Sequence, residues 1–241
     1  MPQLNDGFDP LDRLSKDGFL LLENVYSPSE MESMKQLIAE TIAASNIQNT
    51  KELFAIRNLL QVIPGLTGLI WTPTFTSLVR NLFGDSSFCV KGIYFDKPAQ
   101  NNWLVTWHQD LMISVDSRID AIGFGPWTVK KNSISVRPPL EYVEKMFATR
   151  IHLDGCDETN GALKVIPGSH RLGILADTQI KEIEKKAFVC ELGCGGVQVM
   201  KPLLLHASGK SFGSRPRRVI HLEFTTLELP AGMDWKERVD F

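Results

Sequence analysis

The chain has 241 residues and a formal charge of −2, with 26 Lys and Arg against 28 Asp and Glu. It has no basic stripe and no block of like charge, which disfavours a nucleic-acid or membrane-surface partner. No run approaches the roughly 18 apolar residues of a membrane span, no charged-then-apolar leader opens the chain, and Cys89, Cys156, Cys190 and Cys194 follow no framework spacing, so a reducing, cytoplasmic setting is expected.

Residues 18–25, GFLLLENV, read as a first strand. A helix should follow. Ser27 suits its cap, Pro28 its first position, and Glu30 completes a capping box, while Met31, Met34, Ile38 and Ile42 recur near every 3.6 residues. A second helix is expected over 75–83, stopped by Gly84. From residue 85 the texture changes to strands between turn residues: 87–95, 106–115, 145–155, 162–169, 187–192, 197–208 and 217–229. Asn160-Gly161 marks a turn, and a charged helix interrupts near 177–187. Helices followed by strands with Gly-rich turns make this a mainly β protein with flanking helices, a sandwich or barrel covered on one face. One domain over 1–241 is expected, with helical cover at 27–84 and a β core at 87–229. The stretch 116–140 fits neither period and is too long for a simple connection. Its place directly after residues 106–115 makes it a candidate lid.

The segment TWHQDLM (106–112) puts His108 and Asp110 at i and i+2, which share a face on a strand, with Gln109 turned away. A lone His-x-Asp is more often structural. His206, which ends the apolar run MKPLLLH, supplies a third ligand. Two histidines and a carboxylate form the facial triad of non-haem iron(II) oxygenases. Three positions stay open for a bidentate 2-oxo acid and dioxygen, whereas a structural zinc site would close its shell with a fourth ligand. Arg217 follows His206 across the loop-like ASGKSFGSRP and should open the antiparallel strand beside it, where a guanidinium can grip the far carboxylate of a 2-oxo diacid in a forked pair. Ser208, on the face of His206, can add a hydrogen bond. Arg218 faces the other way and is the substitute if the register shifts by one. Arg150, His152 and Asp154 form a polar face opposite Ile151 and Leu153, and an inward turn would bring Arg150 to cofactor or substrate. His170 reads as a turn residue, and His221, on the face of Arg217 and Val219, as a packed core histidine.

WHQD, RIHLDGCDETNGALKVIPGSHRLG and MKPLLLHASG…RPRRVIHLEF together resemble the phytanoyl-CoA dioxygenase family of iron(II)- and 2-oxoglutarate-dependent oxygenases. The resemblance implies a double-stranded β-helix (a cupin-like jelly roll) with helices on its larger sheet. It also implies that His108, Asp110 and His206 bind iron, and that Arg217 and Ser208 bind 2-oxoglutarate. Ile93 falls where the family lines the 2-oxoglutarate pocket, and Arg150 where several relatives carry a tryptophan beside the cofactor. Related halogenases replace the carboxylate ligand with a small residue, so Asp110 implies hydroxylation or another oxidation rather than halogenation, with dioxygen consumed and succinate and carbon dioxide released. No basic groove for a coenzyme A phosphate is evident, and a free small molecule is the expected substrate. Arg57, Asn58, Phe95 and Trp127 are candidates for its pocket. Two other readings compete. One is a non-catalytic or sensory jelly-roll protein that binds metal and 2-oxoglutarate; the other is a zinc or manganese isomerase, which would not need Arg217.

Overall fold

The helical half is written into its caps. In the computed structural model, which describes residues 9–44, 54–97, 104–130 and 133–241, the Asp9 side chain accepts from Leu11 N–H to start α1 (Pro10–Asp17), and Gly18 closes that helix at φ 85. After β1 (Phe19–Leu22), Ser27 N–H donates to Glu30 Oε2 at 2.7 Å and Glu30 N–H to Ser27 Oγ at 3.3 Å, forming the expected capping box of α2 (Pro28–Ala44). Met31, Met34 and Ile38 are buried along its inner face. β2 (Phe54–Arg57) and the short α3 (Leu59–Val62) and α4 (Leu66–Ile70) come next. α5 (Pro73–Phe83) starts two residues before the expected position because Thr72, not a later residue, caps it, and Gly84 ends it.

The remaining strands are β3 (Phe88–Lys97), β4 (Val105–His108), β5 (Ile113–Val115), β6 (Trp127–Lys130), β7 (Ser133–Val136), β8 (Phe147–His152), β9 (Leu163–Val165), β10 (Phe188–Val189), β11 (Val197–Met200), β12 (His206–Ser208) and β13 (Arg217–Thr225). α6 (Leu140–Glu144) precedes β8, and α7 (Asp177–Ile183) precedes β10. A six-stranded sheet runs β1-β11-β8-β13-β3-β2, and a four-stranded sheet runs β10-β9-β12-β4. These are the two layers of a jelly roll. Helices cover the outer face of the larger sheet, where Leu20, Ile151, Val199, Ile220 and Phe224 meet Met31, Met34, Leu66, Ile70 and Phe75. A smaller apolar cluster, including Phe19, Met200, Leu163 and Val165, joins the larger sheet to the smaller one.

Four expectations change. The strand expected over 197–208 is two: β11 lies in the large sheet and β12 in the small one, with Pro202, unable to donate to a ladder, in the turn between them. Both pieces are buried, so no change of polarity marks the corner. The strand expected over 106–115 is likewise β4 and β5, in different sheets. The candidate lid at 116–140 holds the hairpin β6–β7, which pairs with β5 in a separate three-stranded sheet. Residues 131–132, between β6 and β7 in sequence, lie outside the described residues. β2 is a strand within the expected helical cover, and it forms the edge of the large sheet beside β3. All four cysteines are free thiols. Among the described residues no helix is long and apolar enough to cross a membrane.

Candidate metal centre

His108 is the last residue of β4 and stands opposite His206, the first residue of β12. Their ring centroids are 4.1 Å apart. Each imidazole donates its Nδ1 hydrogen to a carbonyl two residues back, His108 to Thr106 and His206 to Leu204, both at 2.8 Å. A proton on Nδ1 leaves the Nε2 lone pair free and fixes the ring. Asp110 reaches both, with Oδ1 3.8 Å from His108 Nε2 and Oδ2 3.6 Å from His206 Nε2. These separations are too long for hydrogen bonds and leave room for one ion. The three ligand atoms lie within 4.8 Å of one another, the single such group among the described residues.

The His-x-Asp spacing does not act through a continuous strand, as the sequence alone suggests. β4 stops at His108, and Asp110 N–H turns away to the Pro202 carbonyl at 2.9 Å. Gln109 holds this turn. Its Nε2 donates to the carbonyls of Gly173 (2.8 Å) and Leu203 (2.7 Å), and its Oε1 accepts from Leu175 N–H at 2.8 Å. It is turned away from the metal ligands, as expected, and clamps the loops behind them. Gln109→Leu should therefore weaken metal binding by about 10- to 100-fold, the usual effect of losing a ligand's support, with the three ligands intact. Equilibrium dialysis with Mn(II) measures it; unchanged affinity would remove Gln109 from the site.

Electrostatics suit metal binding. Burial works to raise the Asp110 carboxyl, but the imidazoles of His206 and His221, the Lys91 ammonium and His108 outweigh it and hold it below the usual carboxylate range. His206 is pushed down to about 4, chiefly by burial, and so is a neutral ligand at neutral pH.

The centre opens into a cavity of about 260 Å³ between the two sheets. Arg217, Arg150, Ser208, Ile93, Phe95 and Arg57 all line it together with the triad. Arg217 opens β13 as expected, but β13 lies between β3 and β8 in the large sheet, not beside β12. The guanidinium faces His206 from the opposite layer, because the loop 209–216 crosses between sheets rather than closing a hairpin. Arg217 is 3 % exposed, and its Nε and Nη1 have no hydrogen-bond partner. Burial and the charge of Arg150 lower its pKa to about 10. Arg150 is also buried with Nε unpartnered, its guanidinium 5.8 Å from the centre of the Phe95 ring. Ser208 Oγ is likewise buried without a partner. Arg218 turns to the other face and grips Asp154 in a forked pair at 2.7 and 2.7 Å, so it is not an alternative to Arg217. His152 lies buried with both ring nitrogens unpartnered, held neutral by burial and by the charges of Arg150 and Arg217. His170 donates from Nε2 to the Ser15 carbonyl at 3.0 Å and ties a turn to α1.

Two charged cavity residues, Lys91 and Glu223, escape the sequence reading. Lys91 Nζ and His221 Nε2 converge on Glu223 Oε1, at 2.7 and 3.2 Å, beside Asp110. The signal was available as alternation: Arg217, Val219, His221 and Glu223 share one face of β13, as Lys91, Ile93 and Phe95 do on β3. His221 is thus part of a polar cluster and not simply a packed core residue.

A wider, open chamber of about 690 Å³ adjoins the first, and Arg57, Lys91 and Ile93 line both. Asn58 lines the outer chamber. It takes the left-handed conformation at φ 52 where β2 turns into α3, and its side chain makes no capping bond. Phe95 lines only the inner cavity. Trp127 lines neither, since β6 alternates: Thr128 and Lys130 face the chamber, while Trp127 packs on the apolar cluster of Ile113, Val115 and Val136 with the Arg118 guanidinium 5.7 Å from its ring centre.

The sequence model of the phytanoyl-CoA dioxygenase family matches residues 14–219, which include every ligand and cavity residue except those late on β13. The chain belongs to the phytanoyl-CoA dioxygenase family. Among curated relatives, it is 25 % identical over 172 residues to an ectoine dioxygenase of Bordetella bronchiseptica, covering 68 % of this chain and 49 % of that one. An ectoine dioxygenase of Bordetella parapertussis is 24 % identical over the same length. The chain thus spans about half the length of the curated relatives it matches. Among solved structures, AviO1 from Streptomyces viridochromogenes Tue57 superposes with a TM-score of 0.65 at 19 % identity, covering 91 % of this chain and 95 % of that one. EctD from S. alaskensis with bound Fe gives 0.69 at 17 % identity, covering 92 % and 78 %. At these identities the superpositions establish the jelly-roll fold of the family member and no more.

Proposed function

We propose that this member of the phytanoyl-CoA dioxygenase family is an iron(II)- and 2-oxoglutarate-dependent dioxygenase that hydroxylates a free small molecule. One observation carries the reading: the cavity that holds a two-histidine, one-carboxylate triad also holds two buried guanidiniums with unpartnered N–H groups. Two buried cations that form no ion pair among the described residues are costly, and a dianion removes that cost. A 2-oxo diacid has two carboxylates and a metal-chelating 2-oxo group, so it answers both halves of the cavity.

The donor set fits ferrous iron. His108 and His206 would hold it through Nε2 and Asp110 through its carboxylate, with Gln109 and the Nδ1 bonds fixing their orientation. Bound there, iron(II) supplies the oxidising chemistry, in which 2-oxoglutarate becomes succinate and carbon dioxide and the substrate gains one oxygen atom of dioxygen. Arg217 and Ser208 grip the far carboxylate, and Arg150 lends its charge alongside. Apolar walls at Ile93, Phe95 and Leu163 limit water around the reacting groups. The carboxylate of Asp110 occupies the position that halide would need, which favours hydroxylation. In this reading residues 1–241 act as one domain, in the cytoplasm, with the four cysteines reduced.

Anaerobic addition of Fe(II) and 2-oxoglutarate should produce a weak visible charge-transfer absorption, and admitting air should release succinate equal to the 2-oxoglutarate consumed. Metal-loaded protein with neither signal would overturn the reading. Absorption without succinate would mark a binding protein instead.

A further inference from the structure

The outer chamber has an unusual wall. On the three-stranded sheet, Ser114 pairs with Ser135, Ser135 with Thr128, and Ser133 with Lys130, so these five side chains share one face. That face lines the chamber. The opposite face, with Ile113, Val115 and Val136, is packed into an apolar cluster. Arg57 and Asn58, where β2 ends, and Lys91 complete the polar lining, and among the described residues no aspartate or glutamate contributes to it. A solvated face of an ordinary domain mixes both signs of charge. This chain is acidic overall, at −2, so a lining of cations and hydroxyls is not a sample of its general surface.

The cations are not equivalent. Lys91 is neutralised by Glu223 at 2.7 Å. Arg57 and Lys130 form no ion pair among the described residues. Apolar groups lie elsewhere: Ile93 also lines the metal cavity, and Met112 follows Asp110 by two residues. The hairpin side of the chamber is therefore hydroxyl-lined with Lys130 as its cation, while Ile93 and Met112 supply apolar surface toward the metal and Arg57 stands at the junction of the two cavities.

We propose that the substrate is a small amphipathic anion. Arg57 and Lys130, with the hydroxyls of Ser114, Thr128, Ser133 and Ser135, receive its carboxylate or phosphate. Its apolar carbon lies along Ile93 and Met112, toward the metal. The word substrate rests on the oxygenase reading above; the anion site does not.

The test uses the full chain loaded with Mn(II) and N-oxalylglycine, which fill the inner cavity without turnover. Hexanoate, hexyl phosphate and hexanamide are then titrated by calorimetry. At least one of the two anions should bind about tenfold tighter than the amide, as one charge-assisted hydrogen bond would give. Which anion wins identifies the headgroup. The preference should shrink as salt rises and fall to parity in the double variant Arg57→Gln/Lys130→Gln, with its melting temperature as the check on folding. Equal binding of anions and amide, no binding of any of the three, or a preference that survives the double substitution would overturn the proposal. Failure of the oxygenase reading would show separately, as failure of N-oxalylglycine to bind, and leaves the acid-over-amide comparison readable.

Discussion

With Arg217 replaced by methionine, the metal-free protein should melt at a higher temperature than the wild type and should be stabilised far less by 2-oxoglutarate. Arg217 is 3 % exposed, with Nε and Nη1 unpartnered. Its register partner across β3 is another cation, Lys97, which burial and the charge of Arg217 lower to about 8. Arg150 adds a third positive charge nearby. Removing such a charge in favour of an apolar side chain of similar length stabilises by about 1–4 kcal/mol. For a chain of this size that is roughly 2–4 °C for each kcal/mol. The loss on the ligand side is larger in consequence. Saturating 2-oxoglutarate at about 100 times its Kd stabilises the native state by about 2.7 kcal/mol, and loss of the forked pair weakens its binding about 10- to 100-fold. Calorimetric melting with and without 2-oxoglutarate reads both effects. A variant that melts lower and responds to the ligand as fully as the wild type would assign the dianion to Arg150.

The fold was legible where a local rule decides it. Ser27, Pro28 and Glu30 mark the start of α2, and Met31, Met34 and Ile38 its buried face, because capping and period act within a few residues. Corners of the jelly roll are another matter. VQVMKPLLLHAS is apolar on both sides of its turn, since one sheet buries 197–200 and the other buries 206–208. Periodicity carries no trace of a change of layer, and only Pro202 hints at it. The hairpin β6–β7 was hidden for a different reason. Its outward row is serine, threonine and lysine, residues that read as loop when their strand partners are unknown.

For the site, residue identity was legible and residue placement was not. His108, Asp110, His206 and Arg217 stand out because few other uses explain them. Their geometry depends on contacts made far along the chain. Gln109 reaches Gly173, Leu175 and Leu203; Asp110 N–H reaches Pro202; and Arg217 comes from the opposite sheet. Lys91 and Glu223 were missed although both share a face with residues already singled out. Each looks like an ordinary strand charge until the two meet beside Asp110. Trp127 misled because aromatic residues in a loop-like stretch suggest a ligand, whereas β6 turns it into the apolar cluster.

Asp110→Asn should lower metal affinity by more than about 100-fold, beyond what loss of an outer support gives, while leaving the fold intact. The substitution keeps shape and hydrogen-bonding capacity but removes the only anion among the three ligands. The surroundings make that charge matter. His206 is a neutral donor pushed down to about 4, and Lys91 and Glu223 already neutralise one another. Without Asp110, a divalent cation enters a cavity whose remaining charges include Arg150, Arg217 and Arg57, and their repulsion is no longer offset at the metal. Asp154→Asn is the matched control. It weakens the forked pair with Arg218 on the other face of β13 and should leave metal binding unchanged. Anaerobic equilibrium dialysis with Fe(II), compared with Mn(II), separates the two. If Asp110→Asn kept wild-type affinity, the two histidines would need a different third ligand, and the described residues provide none within reach.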